Sequence, residues 1–222
     1  MNVTYIHHSC FLVETDRFYY LFDYEKGALP EMNDAKPIFA LSSHSHGDHY
    51  NPQIFPLLER RMRHIRAVLS DDIPLPENVN SLQVSPEREY ILGLDQKLTT
   101  FRSTDLGVAF LIEDRDLLIY HAGDLNDWVW DEEPEDYNAE MTANYRRQIQ
   151  LLAQALNGRK LDAAFVVLDP RQEKDYDRGL VYFLETVPAK TVYPMHYWGE
   201  PSVIQTFLKD HPEYKCIIQK TE

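Results

Sequence analysis

A short apolar run followed by a histidine-rich stretch decides the fold: Pro37-Ile38-Phe39-Ala40-Leu41-Ser42-Ser43-His44-Ser45-His46-Gly47-Asp48-His49. The apolar part, residues 37–41, is typical of a strand that is covered on both faces. The polar part holds three imidazoles and one carboxylate within six residues. Neutral imidazole and carboxylate are the usual ligands of zinc and similar divalent metals. The stretch therefore predicts a buried strand with a metal-binding loop at its carboxyl end, where α/β architectures usually place ligands.

The spacing of the donors in this loop allows them to converge. Alternate residues of an extended chain point the same way, so we expect His44 and His46 to hold one ion. We expect Gly47 to permit a sharp turn that brings Asp48 and His49 toward a second position. A chance accumulation of surface histidines is the alternative, but the chain has only nine histidines in 222 residues, which makes so dense a cluster improbable by chance.

The composition is that of a folded protein, and it disfavours some classes of binding partner. Hydrophobic residues make up 44% and charged residues 26% of the 222 residues, and this length favours a single domain over residues 1–222. A net charge of −14 disfavours nucleic acid as a partner. No apolar run approaches the roughly 20 residues that cross a bilayer, and the N-terminus lacks the features of a secretion signal. With two cysteines, these observations predict a cytoplasmic protein without a membrane partner; a homo-oligomer is compatible with them.

The rest of the chain predicts strands interleaved with helices. The first quarter is rich in strand-forming residues, and a long amphipathic helix is expected near residue 150. Two strand-rich stretches, each interleaved with helices, suggest two stacked sheets with helices outside. The predicted strands cover residues 3–7, 10–14, 18–23, 37–41, 67–69, 82–84, 90–92, 98–102, 107–113, 117–120, 163–168, 191–195 and 216–219, and the predicted helices cover 51–63, 138–156, 178–186 and 201–209.

Several motifs in order resemble those of the metallo-β-lactamase superfamily. The HxHxDH pattern of residues 44–49 after an apolar strand is the signature of that family. Asp23 is similar to its early aspartate, which steadies the metal loop, and His121-Ala122-Gly123-Asp124 is similar to its GD element, whose aspartate bridges two metals. Pro194-Met195-His196 resembles the segment of its last metal-binding histidine, and residues 7–14 resemble the ascorbate-phosphate-lactonase-like branch. The resemblance implies an α/β fold, a four-layer αββα sandwich of two packed mixed β-sheets with helices on the outer faces.

The same resemblance implies a divalent-metal site with one or two ions, for which zinc is favoured and manganese or iron is compatible. The implied metal ligands are His44, His46, Asp48, His49, Asp124 and His196. The family usually supplies one further histidine, but the corresponding stretch, residues 102–107, has none. Three alternatives follow: Asp105 replaces it, His121 replaces it, or only one metal binds.

Three side chains have a site role and a structural role as alternatives, and a fourth has a site role alone. His8 either lines the site or makes a hydrogen bond within the sheet. Arg171 follows Asp169-Pro170 at a strand end, so it either faces an anionic substrate group or belongs to a structural turn. His196 has a structural alternative of its own, as a strand-end histidine packed beside Trp198. Tyr197 is a candidate to contact a substrate oxygen.

Together these inferences predict a metal-dependent hydrolase that acts on a small molecule. A bound divalent ion lowers the pKa of its water from about 15.7 toward 7 and polarises the bond under attack. Asp48 is the candidate catalytic residue that orients or deprotonates this water. The predicted scissile bond is an ester, a lactone or a phosphoester. Two other classes are compatible with the sequence: a di-iron redox relative, and a metal-binding protein of the same fold without catalytic activity.

Overall fold

The computed structural model of the chain describes residues 1–220. It divides into two compact units, a first unit of residues 1–85 and a second unit that begins at Pro86. Each unit is built on one six-stranded mixed β-sheet with helices. The predicted α/β class with two mixed sheets is therefore confirmed, whereas the single domain over residues 1–222 stays a prediction.

The sheet of the first unit has its strands in chain order. The first three strands are antiparallel, and each later strand runs parallel to its predecessor. Helix α1 (Ile54–Glu59) packs its buried residues against the sheet in one apolar cluster. The strands are β1 (Asn2–His7), β2 (Cys10–Glu14), β3 (Tyr19–Phe22), β4 (Ile38–Ser42), β5 (Ile65–Ser70) and β6 (Ser81–Val84).

Strand β4 occupies the interior of this sheet, between β3 and β5. All five of its residues are buried, and so are all four residues of β3. This agrees with the continuous apolar run in the sequence, since a strand with polar residues at alternate positions would have one exposed face. The histidine-rich loop follows β4 directly. Because β3, β4 and β5 are parallel, the residues that follow each of them lie at the same edge of the sheet.

The sheet of the second unit runs in the order β12-β11-β10-β9-β8-β7. Strands β7 to β10 are antiparallel neighbours, whereas β10, β11 and β12 are parallel. Helix α2 (Glu135–Leu156) packs against β8 and α3, and α3 (Arg178–Thr186) packs against β11. The remaining elements are β7 (Glu89–Ile91), β8 (Gln96–Arg102), β9 (Val108–Asp114), β10 (Leu117–His121), β11 (Ala163–Val167), β12 (Val192–Met195) and α4 (Ser202–Asp210).

One predicted strand is wrong and three predicted helices have different ends, although α4 is shifted by only one residue. Residues 216–219 form only an isolated bridge between Ile218 and Val192, because the amides of Ile217 and Ile218 donate to the Tyr214 carbonyl in a helical turn instead. Helix α1 is shorter than the predicted 51–63 and ends in tight turns onto Leu58. Helix α2 begins three residues before the predicted start, with two acidic residues in its first turn that suit the helix dipole.

Within residues 1–220, no helix has the length and apolar character needed to span a bilayer. The two cysteines are free thiols, Cys10 in the interior and Cys216 at the surface.

Candidate metal centre

Three imidazoles converge in the loop after β4. The Nε2 atom of His44 lies 3.1 Å from the Nδ1 atom of His46, and the rings of His44 and His49 have their centroids 4.2 Å apart. Two nitrogens bound tetrahedrally to one zinc ion at ~2.0–2.1 Å would be about 3.3 Å apart. The spacing of His44 and His46 is therefore that of two donors to one ion, as their i, i+2 relation predicts.

The turn in this loop does not depend on a glycine, contrary to the sequence-based expectation. The amides of His49 and Tyr50 both donate to the His46 carbonyl, at 3.0 and 2.9 Å. Gly47 is not in the left-handed region, and a Cβ atom built on it would meet nothing within 4 Å. A helix-like turn that any residue can adopt thus brings Asp48 and His49 round.

Asp23, at the end of β3, fixes the loop from below. Its Oδ1 accepts the Ser43 amide at 2.7 Å, while its Oδ2 accepts the Ser43 hydroxyl at 2.7 Å and lies 2.8 Å from His49 Nδ1. Asp23 and His49 are both fully buried. A carboxylate on Nδ1 fixes the ring orientation and directs Nε2 outward, which is how proteins prepare a histidine for a metal.

Asp72, which sequence reasoning did not single out, anchors the outer part of the loop. Its Oδ2 accepts the Ser45 amide at 2.7 Å from the end of β5. Burial alone would raise the pKa of this carboxyl, but hydrogen bonds from Ser70 and Ser45 outweigh burial and lower the pKa. An ionised acceptor makes a charge-assisted hydrogen bond of the stronger kind. Its place after a parallel strand, at the same edge as Asp23, is the signal that could have revealed it.

His8 and Asp48 lie beside the imidazole cluster. His8 Nε2 is 3.5 Å from Asp48 Oδ2, and His49 Nε2 is 3.9 Å from the same oxygen. Donor atoms of His8, Asp48 and His49 all lie within 4.8 Å of one another. Of the two alternatives for His8, the geometry favours the one in which it lines the site.

In the second unit, Asp124 and His196 meet at the carboxyl ends of the parallel strands. His196 Nε2 is 3.3 Å from Asp124 Oδ1, and both side chains are buried. The Asp124 segment is held by Trp128, whose indole N–H donates to the Asp124 carbonyl at 2.9 Å. Asp105 is exposed, and its carboxylate comes within 4.8 Å of a donor atom of Asp124. The second unit therefore assembles a donor set from three separate segments.

Asp169 is the functional side chain of this unit that sequence reasoning missed. Its Oδ2 lies 3.0 Å from His196 Nδ1 and also accepts the Trp198 indole N–H at 3.3 Å. Burial raises the pKa of Asp169, but hydrogen bonds from His196 and Arg171 outweigh burial and lower the pKa to about 2. Asp169 therefore orients the ring of His196 through its Nδ1 atom, as Asp23 orients the ring of His49. Its position two residues after the parallel strand β11 is the only sequence signal for that role.

The backbone and the side chain of Arg171 both donate hydrogen bonds to Asp169. Its Nε lies 3.0 and 2.9 Å from the two carboxylate oxygens, and its backbone amide donates to Oδ1 at 2.9 Å. The guanidinium carbon stands 4.3 Å from the ring centroid of Trp198. This is the structural turn rather than a cation directed at a substrate. His196 packs edge-to-face on Trp198 at 5.5 Å, so the packing expected of a strand-end histidine is also present.

Two other candidates, His121 and Tyr197, are buried in the second unit. His121 is buried, its Nδ1 accepts the Gly123 amide at 3.1 Å, and its ring contacts Phe165 in the sheet. Of the two proposed replacements for the missing histidine, Asp105 is therefore the one that the second unit brings beside Asp124. Tyr197 is buried, only 2% exposed.

Three of these side chains are aimed by an uncommon backbone conformation. His8, Asp23 and His196 each come directly after a strand and have positive φ angles of 50, 45 and 65°. A non-glycine residue in this region costs roughly 1–3 kcal/mol and persists only where its surroundings enforce it, most often at functional sites. The repeated cost at strand ends marks both sheet edges as places where side-chain direction matters more than local stability.

Comparisons with known proteins agree with this chemistry. The sequence profile of the β-lactamase superfamily domain matches residues 2–138. The chain belongs to the metallo-β-lactamase superfamily. A search of curated protein sequences finds no significant match. The branch with ascorbate-phosphate lactonase stays a prediction.

Solved structures share the metallo-β-lactamase fold at low identity. Igni18, a metallo hydrolase from Ignicoccus hospitalis, is 14% identical with a TM-score of 0.66, over 99% of this chain and 94% of its own. A metal-dependent hydrolase from Parabacteroides distasonis is 17% identical with a TM-score of 0.64, over 99% and 93%. CmlA, a diiron β-hydroxylase from Streptomyces venezuelae, is 14% identical with a TM-score of 0.61, over 98% of this chain and 52% of its own. At such identities the likeness establishes the fold alone.

Proposed function

We propose that this metallo-β-lactamase superfamily member is a hydrolase that uses a metal-activated water to cleave an ester, lactone or phosphoester bond in a small molecule. The observation that carries the proposal is the pair of buried carboxylate–imidazole contacts, Asp23 with His49 and Asp169 with His196. A carboxylate on the inner ring nitrogen holds the outer one as a metal ligand and raises its basicity. Neither contact is needed to terminate a strand, whereas both are useful for holding a cation.

We propose that the metal ligands are His44, His46, Asp48 and His49 in the first unit and Asp105, Asp124 and His196 in the second. Imidazole with carboxylate suits zinc, and the share of oxygen donors also suits manganese or iron. One or two ions are compatible with this number of donors. The family resemblance supports these ligands, since it matches the motifs of each unit.

A divalent ion held by these donors would supply a water of lowered pKa and a Lewis acid for the bond under attack. Asp48, a half-buried carboxylate beside the imidazoles, would orient that water and take its proton. Asp23 and Asp169 keep the ligating rings in place, so little reorganisation is needed during the reaction. Asp72 and Arg171 stabilise the two segments from which the donors project.

The experiment is a hydrolysis screen on protein loaded separately with zinc, manganese and iron. Esters, lactones and phosphoesters are offered, and Asp48→Ala is compared with Asp71→Ala, an exposed acid of the same unit. We expect Asp48→Ala to lower turnover by about 10²–10⁴-fold, the usual contribution of general acid–base catalysis, and Asp71→Ala to leave it unchanged. Equal turnover in wild type and Asp48→Ala would refute the role of Asp48.

A second candidate function is di-iron oxidation. The observation in its favour is the carboxylate-rich donor set, with Asp105 where the family usually has a histidine, together with the fold likeness to a diiron β-hydroxylase. Metal analysis of the protein purified without added metal separates the two. Two irons per chain with no hydrolysis would favour oxidation, and zinc or manganese with hydrolysis would favour the first proposal.

We also propose a cytoplasmic location and a small-molecule partner, without nucleic acid or membrane. The two free thiols are what a reducing compartment preserves. Fractionation of cells that express the tagged chain tests the location: recovery in the cytosolic fraction is expected, and recovery with an oxidised Cys10–Cys216 bridge would contradict it.

A further inference from the structure

A cleft of about 250 Å³ lies in the second unit, and none of its lining residues is a candidate metal ligand. One wall is residues 102–104, at the end of β8. The other wall is one face of α2, with the side chains of Tyr137, Glu140, Met141, Asn144, Arg147 and Gln148.

Packing of the fold does not account for the composition of this helix face. The core residues of α2 are Tyr145, Ile149, Leu152 and Leu156, which form a different stripe. The cleft face recurs at intervals of three and four residues, so its side chains line up along the helix. It offers an aromatic ring, a thioether, an amide and a guanidinium, and Tyr137 is 44% exposed. Such a mixture of apolar and convergent polar groups is typical of a small-ligand site.

Gln148 ties the two walls together. Its Oε1 accepts the backbone amide of Arg102 at 3.2 Å, and its Nε2 donates to Glu87 Oε1 at 2.8 Å. Arg147 pairs with the same Glu87 oxygen at 3.1 Å. Gln148 is itself buried. The floor of the cleft is thus a fixed polar network rather than two surfaces that touch by chance.

Arg102 lines this cleft as an exposed arginine. Within residues 1–220 its guanidinium forms neither a hydrogen bond nor an ion pair, although its charge helps to lower the pKa of the Glu87 carboxyl, whereas Arg147 is paired directly with Glu87. Glu140 also lines the cleft and is exposed like Arg102, so solvent screens both charges. In a chain with a net charge of −14, a guanidinium left facing a cleft favours a carboxylate or a phosphate, which it can bind with two parallel N–H groups.

We propose that this cleft binds the oxyanion group, carboxylate or phosphate, of a small ligand. Arg102 is its principal partner, Arg147 and Asn144 stand along the same wall, and Tyr137 and Met141 supply apolar surface to the rest of the ligand. The cleft assigns a substrate class to the proposed hydrolase: a small molecule that carries a negative charge away from the bond that is cleaved. That assignment rests on the proposed function, but binding in the cleft does not.

The cleft adjoins the segments that carry two candidate ligands. Thr104, which lines it, donates its hydroxyl to the Asn126 carbonyl at 2.6 Å and accepts the Asn126 amide at 3.0 Å. Asp105 is the next residue along the chain, and Asp124 lies two residues before Asn126. A ligand held by Arg102 therefore sits beside the backbone that positions Asp105 and Asp124.

The test is a titration of the zinc-loaded protein with inorganic phosphate and, separately, with acetate at fixed ionic strength, followed by amide chemical shifts. Binding in the cleft moves the amides of residues 102–104, whereas binding at the metal moves those of residues 44–49. The variants are Arg102→Gln, which keeps most of the aliphatic stem, and Arg146→Gln as the control. Arg146 is the neighbour of Arg147 and stacks on Tyr182 at 5.0 Å.

We expect the dissociation constant of the preferred anion to rise about tenfold in Arg102→Gln, the scale of one lost charge-assisted contact, and to stay unchanged in Arg146→Gln. Tighter phosphate than acetate identifies a phosphorylated ligand, and the reverse a carboxylic acid. The inference is overturned if Arg102→Gln titrates like the wild type, if Arg146→Gln loses as much affinity, or if only the amides of residues 44–49 move.

Failure of this inference and failure of the proposed function are distinguishable. Anion binding at residues 102–104 without any hydrolysis would support the cleft as a ligand site and contradict the proposed hydrolase activity. Hydrolysis of an anionic ester with a KM that is the same in wild type and Arg102→Gln would support the hydrolase activity and contradict the role of the cleft. If both hold, Arg102→Gln raises KM for the anionic ester but not for its neutral analogue.

Discussion

The two units present their candidate metal donors in different ways. In the first, His44, His46, Asp48 and His49 come from one continuous loop after a single strand. In the second, Asp124 and His196 follow two different strands and approach to 3.3 Å only because β10, β11 and β12 run parallel. The donors of the first unit can be recognised from their spacing in the sequence. The donors of the second unit come together only when the sheet has formed.

Both units nevertheless orient one histidine in the same way. A buried aspartate at the end of a neighbouring parallel strand contacts the inner nitrogen of a histidine, at 2.8 Å from His49 in one unit and 3.0 Å from His196 in the other. One candidate metal-binding histidine in each unit thus has an orienting carboxylate from another strand, whether or not the other candidate ligands of that unit are neighbours in sequence.

Removal of metal should have the largest effect, because without a cation the carboxylates of both donor sets repel one another. We expect chelation to abolish hydrolysis and lower the melting temperature, and metal added back to restore both. A ligand present at a hundred times its dissociation constant contributes about 2.7 kcal/mol of stability. A melting curve that chelation does not alter would contradict the account for both units.

Substitution of the two orienting acids should sharpen the comparison. Asp23→Asn and Asp169→Asn keep the shape but remove the charge that fixes each ring, so each should lower metal affinity by about 10–100-fold. Both substitutions should also lower stability, since Asp23 accepts two hydrogen bonds from Ser43 and Asp169 accepts hydrogen bonds from Arg171 and Trp198. Competition with a fluorescent zinc chelator measures the affinity. Wild-type zinc affinity in Asp169→Asn would show that only the first unit depends on an aspartate to orient its histidine.

Arg171 should have a smaller effect, because it acts on His196 only indirectly, through Asp169 and Trp198. Arg171→Ala is expected to raise the pKa of the Asp169 carboxyl from about 2, by removal of its hydrogen bonds, and to weaken metal binding only about threefold. Carbon NMR of the Asp169 carboxyl and the chelator competition measure these two effects. Lys174→Ala, which removes an exposed ion pair with Asp131, is the control and should change neither.

Gly47 should have the smallest effect, although it lies within the signature motif. Gly47→Ala is expected to change the free energy of unfolding by less than about 0.5 kcal/mol, because its backbone is not left-handed and its Cβ meets no atom. Gly27→Ala is the contrast, since Gly27 has a φ of +108° and its Cβ would lie 2.7 Å from Ile6. Urea unfolding of both variants measures the difference. An equal loss in the two would show that the metal loop needs a glycine.

The sequence predicts what depends on neighbours along the chain. The apolar run of β4, the histidine loop after it and the core stripe of α2 are all local patterns, and the structure contains each of them. Residues 216–219 have the composition of a strand, but two of their amides bond within a helical turn, so they pair at a single bridge. Local composition did not show which partner those amides would find.

The roles that sequence did not reveal depend on long-range placement. Asp169, followed by proline and arginine, has the local composition of a turn, and its contact with His196 joins positions 27 residues apart. The left-handed backbone of His8 and His196 is likewise invisible in the sequence, because neither residue type requires it. The expectation for Gly47 is the converse error. Two backbone hydrogen bonds form the turn, which does not need the conformational freedom of a glycine.

The most direct test of the account is the zinc affinity of two single variants, His49→Ala and His196→Ala, one histidine from each unit, with Lys174→Ala as the control. If both histidines are metal ligands, each substitution weakens zinc binding at least as much as the loss of an orienting acid, about 10–100-fold, and Lys174→Ala binds zinc like the wild type. If either histidine variant keeps wild-type affinity, that histidine is not a ligand and the proposed metal site is wrong.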